Sequence, residues 1–376
     1  MRIAQVDFTS MNFASIFWTF SDITRALNDK EWQQFQMNYQ KPQFPVQKSV
    51  QGSLISGTIL PIAAPGPNST WSISFTGPAL SCEALDNTRG LGNDTVTQLA
   101  SQLDDVRYLS WVPVPSNGSN VPSSISSDLR SITVGGSPLA LYVMIPPAIS
   151  YSTIQTRPLP PGGSGGRVSP SNYSSEYNSS VLAYEQARTN YYRGYTYLQE
   201  CTLQNVSYRT DFAYTNGLQN ITLSTSRSMN NVSYLSGFSS FAEISADASG
   251  RFPYNPNFTT VTLNQTAVQM LSYQSIMDAF ASMFVGYVKT ISSTIDEKSS
   301  IQYTVDTSMG TTSLVQSREM ANVTQSLALQ FELLGNVNWD GKSVNQNETG
   351  TQPMTELMEE MFRNVTVSLM SNSALK

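Results

Sequence analysis

Gly162-Gly163-Ser164-Gly165-Gly166 reads G-x-S-x-G, the pattern of a serine nucleophile elbow. An elbow joins a strand to a helix and hands its proton to a general base. Here the pattern sits in a Pro-, Gly- and Ser-rich stretch at 157–176, so it reads as an exposed loop. Ser373-Ala374-Leu375-Lys376 matches S-x-x-K but lies at the end of the sequence and is discounted in the same way. Asn336-Val337-Asn338-Trp339-Asp340-Gly341 resembles the first half of a calcium-binding EF-hand loop, with glycine at the sharp sixth position. Its first position is Asn, its twelfth is Asn347, and Glu348 falls one residue late. Too few charged ligands remain, and the segment reads as an Asn- and Gly-rich connection between helices.

The chain contains no histidine and 2 cysteines. Ser-His-Asp and Cys-His catalysis are therefore excluded, as are His-ligated zinc, copper and haem. Two cysteines do not make a four-cysteine zinc site. Acid–base chemistry falls to carboxylates. The adjacent pairs Asp104-Asp105, Asp296-Glu297 and Glu359-Glu360 do not form a glycosidase pair by themselves, because neighbours in sequence point apart on a helix or strand. Carboxylates distant in sequence would have to converge in the fold.

Cys82 follows one predicted strand and Cys201 precedes a predicted hairpin. In an oxidising compartment two cysteines favour one bond. Buried free thiols are the other reading. Asparagine carries a second signal. Of 26 Asn, 13 stand in N-x-[ST], where about six would arise by chance in a chain with 54 Ser and 34 Thr. These candidate glycan acceptors are Asn68, Asn93, Asn117, Asn172, Asn178, Asn205, Asn220, Asn231, Asn257, Asn264, Asn322, Asn347 and Asn364. Charged residues make up 13% of the chain, about half the usual quarter, and the net charge is -6. A surface of hydroxyls and amides suits a secreted chain. The acidic balance, with scattered Lys and Arg, argues against nucleic acid as a partner.

The elements that must position these groups follow from periodicity. A lead-in over residues 1–20 is followed by an expected helix from Ser21-Asp22, with Ile23, Leu27 and Phe35 on its apolar side. Val50 to Ile62 reads as β-rich. Trp71, Ile73 and Phe75 alternate with Ser72 and Ser74, the period of a half-buried strand. Leu139 to Ile145 reads as a buried strand. Val206, Tyr208, Thr210, Phe212 and Tyr214 form one face of a hairpin that turns at Asn216-Gly217. Asn205 and Asn220 fall on its polar faces. Three apolar stripes predict helices in the last third: Ile276 to Ile291, Met320 to Leu334 and Met354 to Leu369. The expected fold is α+β, an antiparallel β layer or sandwich with strands mainly in 45–235, packed by the late helices. The expected organisation is one unit: a lead-in and helix (1–45), a β-rich part (46–260) and a helical part (261–376).

No stretch reaches the ~20 apolar residues of a membrane helix, and no apolar export signal follows Met1. A targeting element is expected upstream of Met1. Three segments carry a resemblance. They are Phe75-Thr76-Gly77-Pro78-Ala79-Leu80-Ser81-Cys82, the run from Cys201-Thr202-Leu203-Gln204-Asn205 through Asn216-Gly217 to Ile221, and Glu359-Glu360-Met361-Phe362-Arg363-Asn364-Val365-Thr366. Together they resemble the extracellular region of a fungal family of multipass membrane proteins, often labelled formylmethionine-deformylase-like. The resemblance implies membrane helices before residue 1 and after Lys376. It implies no deformylase activity here, because that chemistry uses a His-Glu-x-x-His metal helix and the chain has no histidine.

The reading that results is a non-enzymatic, N-glycosylated extracellular domain without cofactor. It would be held at a fungal cell membrane by segments outside this chain and face a cell-wall or other extracellular ligand. A carboxylate-dependent hydrolase of surface glycan is the alternative. The residue inventory also predicts that the chain binds no transition metal tightly. Elemental analysis of protein from a secreting host is expected to find neither zinc nor iron, and a stoichiometric amount of either contradicts the exclusion.

Overall fold

The computed structural model describes residues 6–10, 12–21, 31–112, 140–147, 175–225, 230–232, 237–244, 265–295, 298–321, 323 and 352–375. Its centre is the pairing of β3 (Ser69–Ala84) with β6 (Tyr197–Thr215), antiparallel and in register from Ser69↔Tyr214 to Ala84↔Gln199. The other edge of β6 takes three partners in turn. They are β5 (Ala140–Ile145), the two-residue β8 (Asn230–Asn231) and β7 (Leu218–Thr225). The sheet continues through β4 (Val106–Trp111), β10 (Gly286–Ile295) and β11 (Lys298–Asp306), making eight strands. A separate three-stranded sheet pairs β1 (Ala14–Ser21), β2 (Glu31–Pro42) and β9 (Gly237–Ile244).

The expected α+β class is what the chain adopts. The hairpin is where its pattern puts it. Asn216 and Gly217 take φ of 51° and 80°, the left-handed pair a tight turn of this type needs. Val206, Tyr208, Thr210, Phe212 and Tyr214 are all buried. Aromatic rings stack across the β3–β6 rows: Trp71 on Phe212 at 4.8 Å and Phe75 on Tyr208 at 5.0 Å. All six residues of β5 are buried, as its unbroken apolar run requires.

Five helices have described bounds: α1 (Phe44–Ser56), α2 (Gly90–Leu99), α3 (Ser175–Tyr195), α4 (Gln265–Phe284) and α5 (Met354–Ser368). α5 lies against β3, and α1 lies against both α4 and α5. The apolar stripe read for α5 is buried from Met354 through Leu357, Met358, Met361, Phe362 and Val365. Phe362 meets Phe280 of α4 edge-on at 5.0 Å, joining two helices in one hydrophobic core. The start of α5 is held by Glu319, whose carboxylate accepts the Met354 N–H at 2.9 Å. An acid at that end also meets the positive pole of the helix.

Several expectations are corrected. The segment expected as lead-in and helix over 1–45 carries β1 and β2 instead, and Phe35 sits in β2 opposite Phe20. Phe35, Met37 and Tyr39 alternate with Gln36, Asn38 and Gln40, and this period of two wins over the sparse Ile23–Leu27 spacing. Ile23 and Leu27 lie outside the described residues. Val50 to Ile62 is not a strand. Val46, Val50 and Leu54 step by four and are buried on α1, which has Pro45 in its first turn and ends at left-handed Gly57. β-branched content suggested a strand; the spacing decided for a helix.

The stripe from Ile276 to Ile291 is helical only to Phe284. Tyr287, Val288 and Ile291 belong to β10, so strands also occur in the part expected to be helical. Gly286 makes the break. Its φ is 135°, and a Cβ there would stand 1.6 Å from the Asp306 carbonyl oxygen, with which β11 closes over it. Of the stripe from Met320 to Leu334, Met320 ends a turn, Ala321 and Val323 are helical as expected, and residues 322 and 324–334 lie outside the described residues. So do 157–174 of the expected Pro/Gly/Ser loop, whose last two residues, Ser175 and Glu176, instead begin α3.

Gly286→Ala is expected to destabilise the fold by about 3 kcal/mol or more in denaturant unfolding, through left-handed strain and the clash with Asp306. Gly310→Ala, where no atom stands within 4 Å of the added carbon, is the control and is expected to be nearly neutral. Equal effects at both positions contradict the break as described.

Candidate functional site

The two cysteines meet. Cys82 and Cys201 are direct cross-strand partners with Cα atoms 4.0 Å apart and are disulfide-bonded, spanning 119 residues. Cys201 is fully buried beside Met358 of α5. The Cys82 N–H points off the outer edge of β3 and is accepted by the Glu359 carboxylate at 2.9 Å. Glu360 instead accepts from Gln352, so this acidic pair diverges, as adjacent residues must. Asp104 and Asp105 diverge too. The Asp104 carboxylate takes Arg188 at 2.5 Å and the Tyr192 hydroxyl at 2.8 Å, whereas Asp105 contributes its carbonyl to Thr290. Asp296-Glu297 lies outside the described residues.

The fold does align two distant acids. Glu83 and Glu200 are opposite each other in the β3–β6 register, one row from the disulfide. Residues paired in this way share a face with Cβ atoms about 5 Å apart. The Tyr142 hydroxyl, from the same row of β5, donates to Glu200 Oε1 at 2.5 Å. Tyr142 stacks on Trp111, and both rings are buried, so neither presents a free platform to a sugar.

One concavity opens on the polar face of the β3–β6–β7 end. It is a depression of about 260 Å3, lined by Thr70, Ser72, Asp211, Asn220 and Thr222 among others. Its one carboxylate, Asp211, is hydrogen-bonded by Ser72 and lies 3.6 Å from Arg209. The Ser72 hydroxyl holds Asp211 below the usual carboxylate pKa; burial opposes it, and the Arg209 charge adds a lesser lowering. That is the wrong direction for a general acid. Among the described residues no group of three or more Cys, Asp and Glu could hold a metal ion.

The sequence reading missed Asp278. It sits on α4 inside a run buried from Leu271 to Ala281, and its exposure is 7%. The Tyr39 hydroxyl at the end of β2 donates to Asp278 Oδ2 at 3.0 Å. Burial raises the Asp278 pKa to about 7, partly offset by the Tyr39 hydrogen bond. The Tyr39 hydroxyl is itself pushed up by burial and by the nearby acid. The sequence signal was present: one charged residue in a helix that otherwise carries none. Its partner is 239 residues away, which no local pattern reveals.

The candidate glycan acceptors separate by exposure. Asn68 is exposed, and its Oδ1 accepts the Asn216 N–H at 2.8 Å, bracing the hairpin turn. Asn178 and Asn220 are exposed on α3 and β7. Asn93 and Asn178, expected in loops, lie in α2 and α3 instead. Asn205 is half-buried, and its Oδ1 accepts from the buried Tyr273 hydroxyl of α4 at 3.1 Å, so it does not stand free on a polar face. Asn364 is half-buried beside the core stripe of α5. Asn231 lies in β8, whereas Asn117, Asn172, Asn257, Asn264, Asn322 and Asn347 are outside the described residues.

No protein-family model, no curated protein and no solved structure matches the chain. What the coordinates define is an α+β domain with a disulfide-stapled antiparallel sheet, and its function has to be argued from its own residues.

Asp278 gives stability a defined pH dependence. Its folded pKa, about 7, exceeds the 3.8 of an ordinary aspartate, so the folded state binds the proton more tightly. The stabilisation is whole below the lower value and is lost as pH rises through the higher one. Thermal unfolding is expected to show lower stability at about pH 8 than at about pH 5, by a few kcal/mol. Asp278→Asn, which keeps an acceptor for Tyr39, is expected to flatten that slope and raise the melting temperature at the higher pH. A slope unchanged in the variant would remove Asp278 as its source.

Proposed function

We propose that the chain is a non-catalytic, N-glycosylated extracellular domain of a fungal membrane protein, acting in sensing, adhesion or scaffolding. The Cys82–Cys201 disulfide carries this reading. A bond of this kind persists in oxidising compartments and is rare in the cytosol. The twofold sequon excess adds to it, with Asn68, Asn178 and Asn220 exposed to a glycosylating enzyme. The low charged fraction agrees. So does the use of acids as internal fastenings, with Glu319 on a helix start, Glu359 on a strand edge and Asp104 on Arg188. No described helix is long and apolar enough to cross a membrane, so attachment would be through segments outside this chain.

A carboxylate-dependent hydrolase of surface glycan is the alternative, and the facing Glu83 and Glu200 are the observation that favours it. It has less support, because the described concavity holds a different acid, Asp211, whose pKa is lowered.

Site-by-site mass spectrometry of protein secreted by a fungal host is the test. Glycans are expected at Asn68, Asn178 and Asn220. Asn364 is expected to be the least occupied, with Asn205 also low because it is half-buried against Tyr273. Thiol labelling without reductant is expected to find no free cysteine. Unmodified sequons throughout would defeat the extracellular assignment. The same protein is expected to release no reducing sugar from wall glucan; release abolished by Glu200→Gln would establish the hydrolase instead.

A further inference from the structure

Both ends of the described chain leave the fold at one place. The Asp7 N–H donates to the Leu375 carbonyl at 3.2 Å. Asn372, three residues before Leu375, donates to the Pro45 carbonyl and to Ser49 Oγ, each at 3.2 Å, at the start of α1. The first and last described residues therefore lie close to that helix.

The outward stripe of α1 combines exposed apolar side chains with a lysine. Phe44, Lys48, Gln51 and Ile55 follow at helical spacing and are all exposed, Phe44 at 74% and Ile55 at 60%. Lys41, at the end of β2, is exposed three residues before Phe44. Between Glu31 and Glu83 there is no acid, in a chain with 27 Asp and Glu and a net charge of -6. Asp7, the acid near the chain ends, is occupied by the Thr9 N–H at 3.0 Å and the Thr9 hydroxyl at 2.6 Å. No sequon occurs before Asn68, so no glycan would stand on this segment.

We propose that the outward stripe of α1 is a membrane-resting surface that docks on the phospholipid headgroup layer. Phe44 and Ile55 enter the interface, and Lys41 and Lys48 reach the headgroup phosphates. Lysines lay their methylene stems along apolar surface while the ammonium stays at phosphate depth. The inference deepens the membrane-protein reading and rests on it for the claim that a bilayer is at hand. The stripe itself is testable without that claim. Two apolar anchors and two cations give weak binding alone, which becomes orienting once a neighbouring segment holds the domain at the membrane.

The purified 376-residue chain, at millimolar lipid, is to be floated with vesicles of phosphatidylcholine and phosphatidylglycerol in equal parts. The wild type is expected to co-float, and less so as salt rises. Phe44→Ala is expected to weaken partitioning about tenfold, and Lys41→Gln or Lys48→Gln about fivefold each. Phe44→Trp is expected to restore binding, with its added fluorescence quenched by brominated lipid. Leu218→Ala, at a 77% exposed apolar residue on the hairpin, is expected to change nothing. These side chains are exposed, so melting temperatures should match the wild type.

Failure of the wild type to float, or an equal loss in Leu218→Ala, would overturn the docking surface. So would a dimer that Phe44→Ala dissolves, since the stripe would then belong to a second copy. A chain that is glycosylated and disulfide-bonded but does not float keeps the extracellular reading and loses this one. A chain that floats through Phe44 yet carries no glycan from a secreting host does the reverse.

Discussion

The pairing of β3 with β6 is the constraint on which the remaining architecture depends. Over 16 residues of β3, each row of side chains is fixed opposite a row on β6. Because side chains alternate with period two, a slip of one residue would turn Trp71, Phe75, Phe212 and Tyr214 out of the core. The disulfide fastens one end of this ladder and the Asn216-Gly217 turn closes β6 onto β7 at the other. Between them, β6 serves as the template for β5, β8 and β7 along its second edge. In the chain-entropy view, closing a loop of 119 residues removes freedom from the unfolded chain worth about 4–5 kcal/mol. That is a large share of the 5–15 kcal/mol that holds a domain folded.

A long strand at the edge of a sheet leaves unpaired donors and acceptors, an invitation to add a further strand. The β3 edge is answered by α5. Glu359 takes the Cys82 N–H, and the Thr366 hydroxyl donates to the Pro78 carbonyl at 3.0 Å, as does Tyr208 from β6 at 2.6 Å. Pro78 itself offers no donor, as befits an edge. The same helix therefore does two jobs: its Met and Phe stripe fills the core, and its polar residues close the edge beside the disulfide.

What could be read from the sequence was local. The hairpin was legible because its alternation and its turn residues lie within a short stretch. β5 was legible from its unbroken apolar run, and α5 from its stripe after Pro353. The disulfide was the favoured reading, since two cysteines in an oxidising compartment tend to bond, and the structure decides it against two buried free thiols. Errors arose where two periods compete. Val50 on α1 and Tyr287 and Val288 on β10 each fit a stripe and a strand. The deciding facts were the left-handed Gly57 and the close approach of Asp306 to Gly286. The small sheet was beyond reach, because β2 finds its partner β9 across some two hundred residues of chain. The pairing of Asp278 with Tyr39 was beyond reach for the same reason.

Charge is used sparingly in this chain, and its placement separates two kinds of surface. The described acids that carry named contacts mostly fasten structure: Asp104 holds Arg188, Glu319 holds the start of α5, Glu359 holds the β3 edge and Asp278 holds Tyr39. Burying such groups is tolerable only with partners, so each is committed and not available to a passing substrate. Solvation of the exterior is left to Ser, Thr and Asn, the residue types that also supply sequons. The exposed sequons at Asn68, Asn178 and Asn220 all follow the acid-free α1 in sequence, whereas α1 itself has one lysine, Lys48, no acid and no sequon. With the proposed glycans at those sites and the proposed headgroup contact at α1, the domain would have an intrinsic direction. That asymmetry would suit a module that meets a hydrated exterior on one side and a headgroup layer on the other, because a polar surface is satisfied by solvation and an interfacial helix by burial.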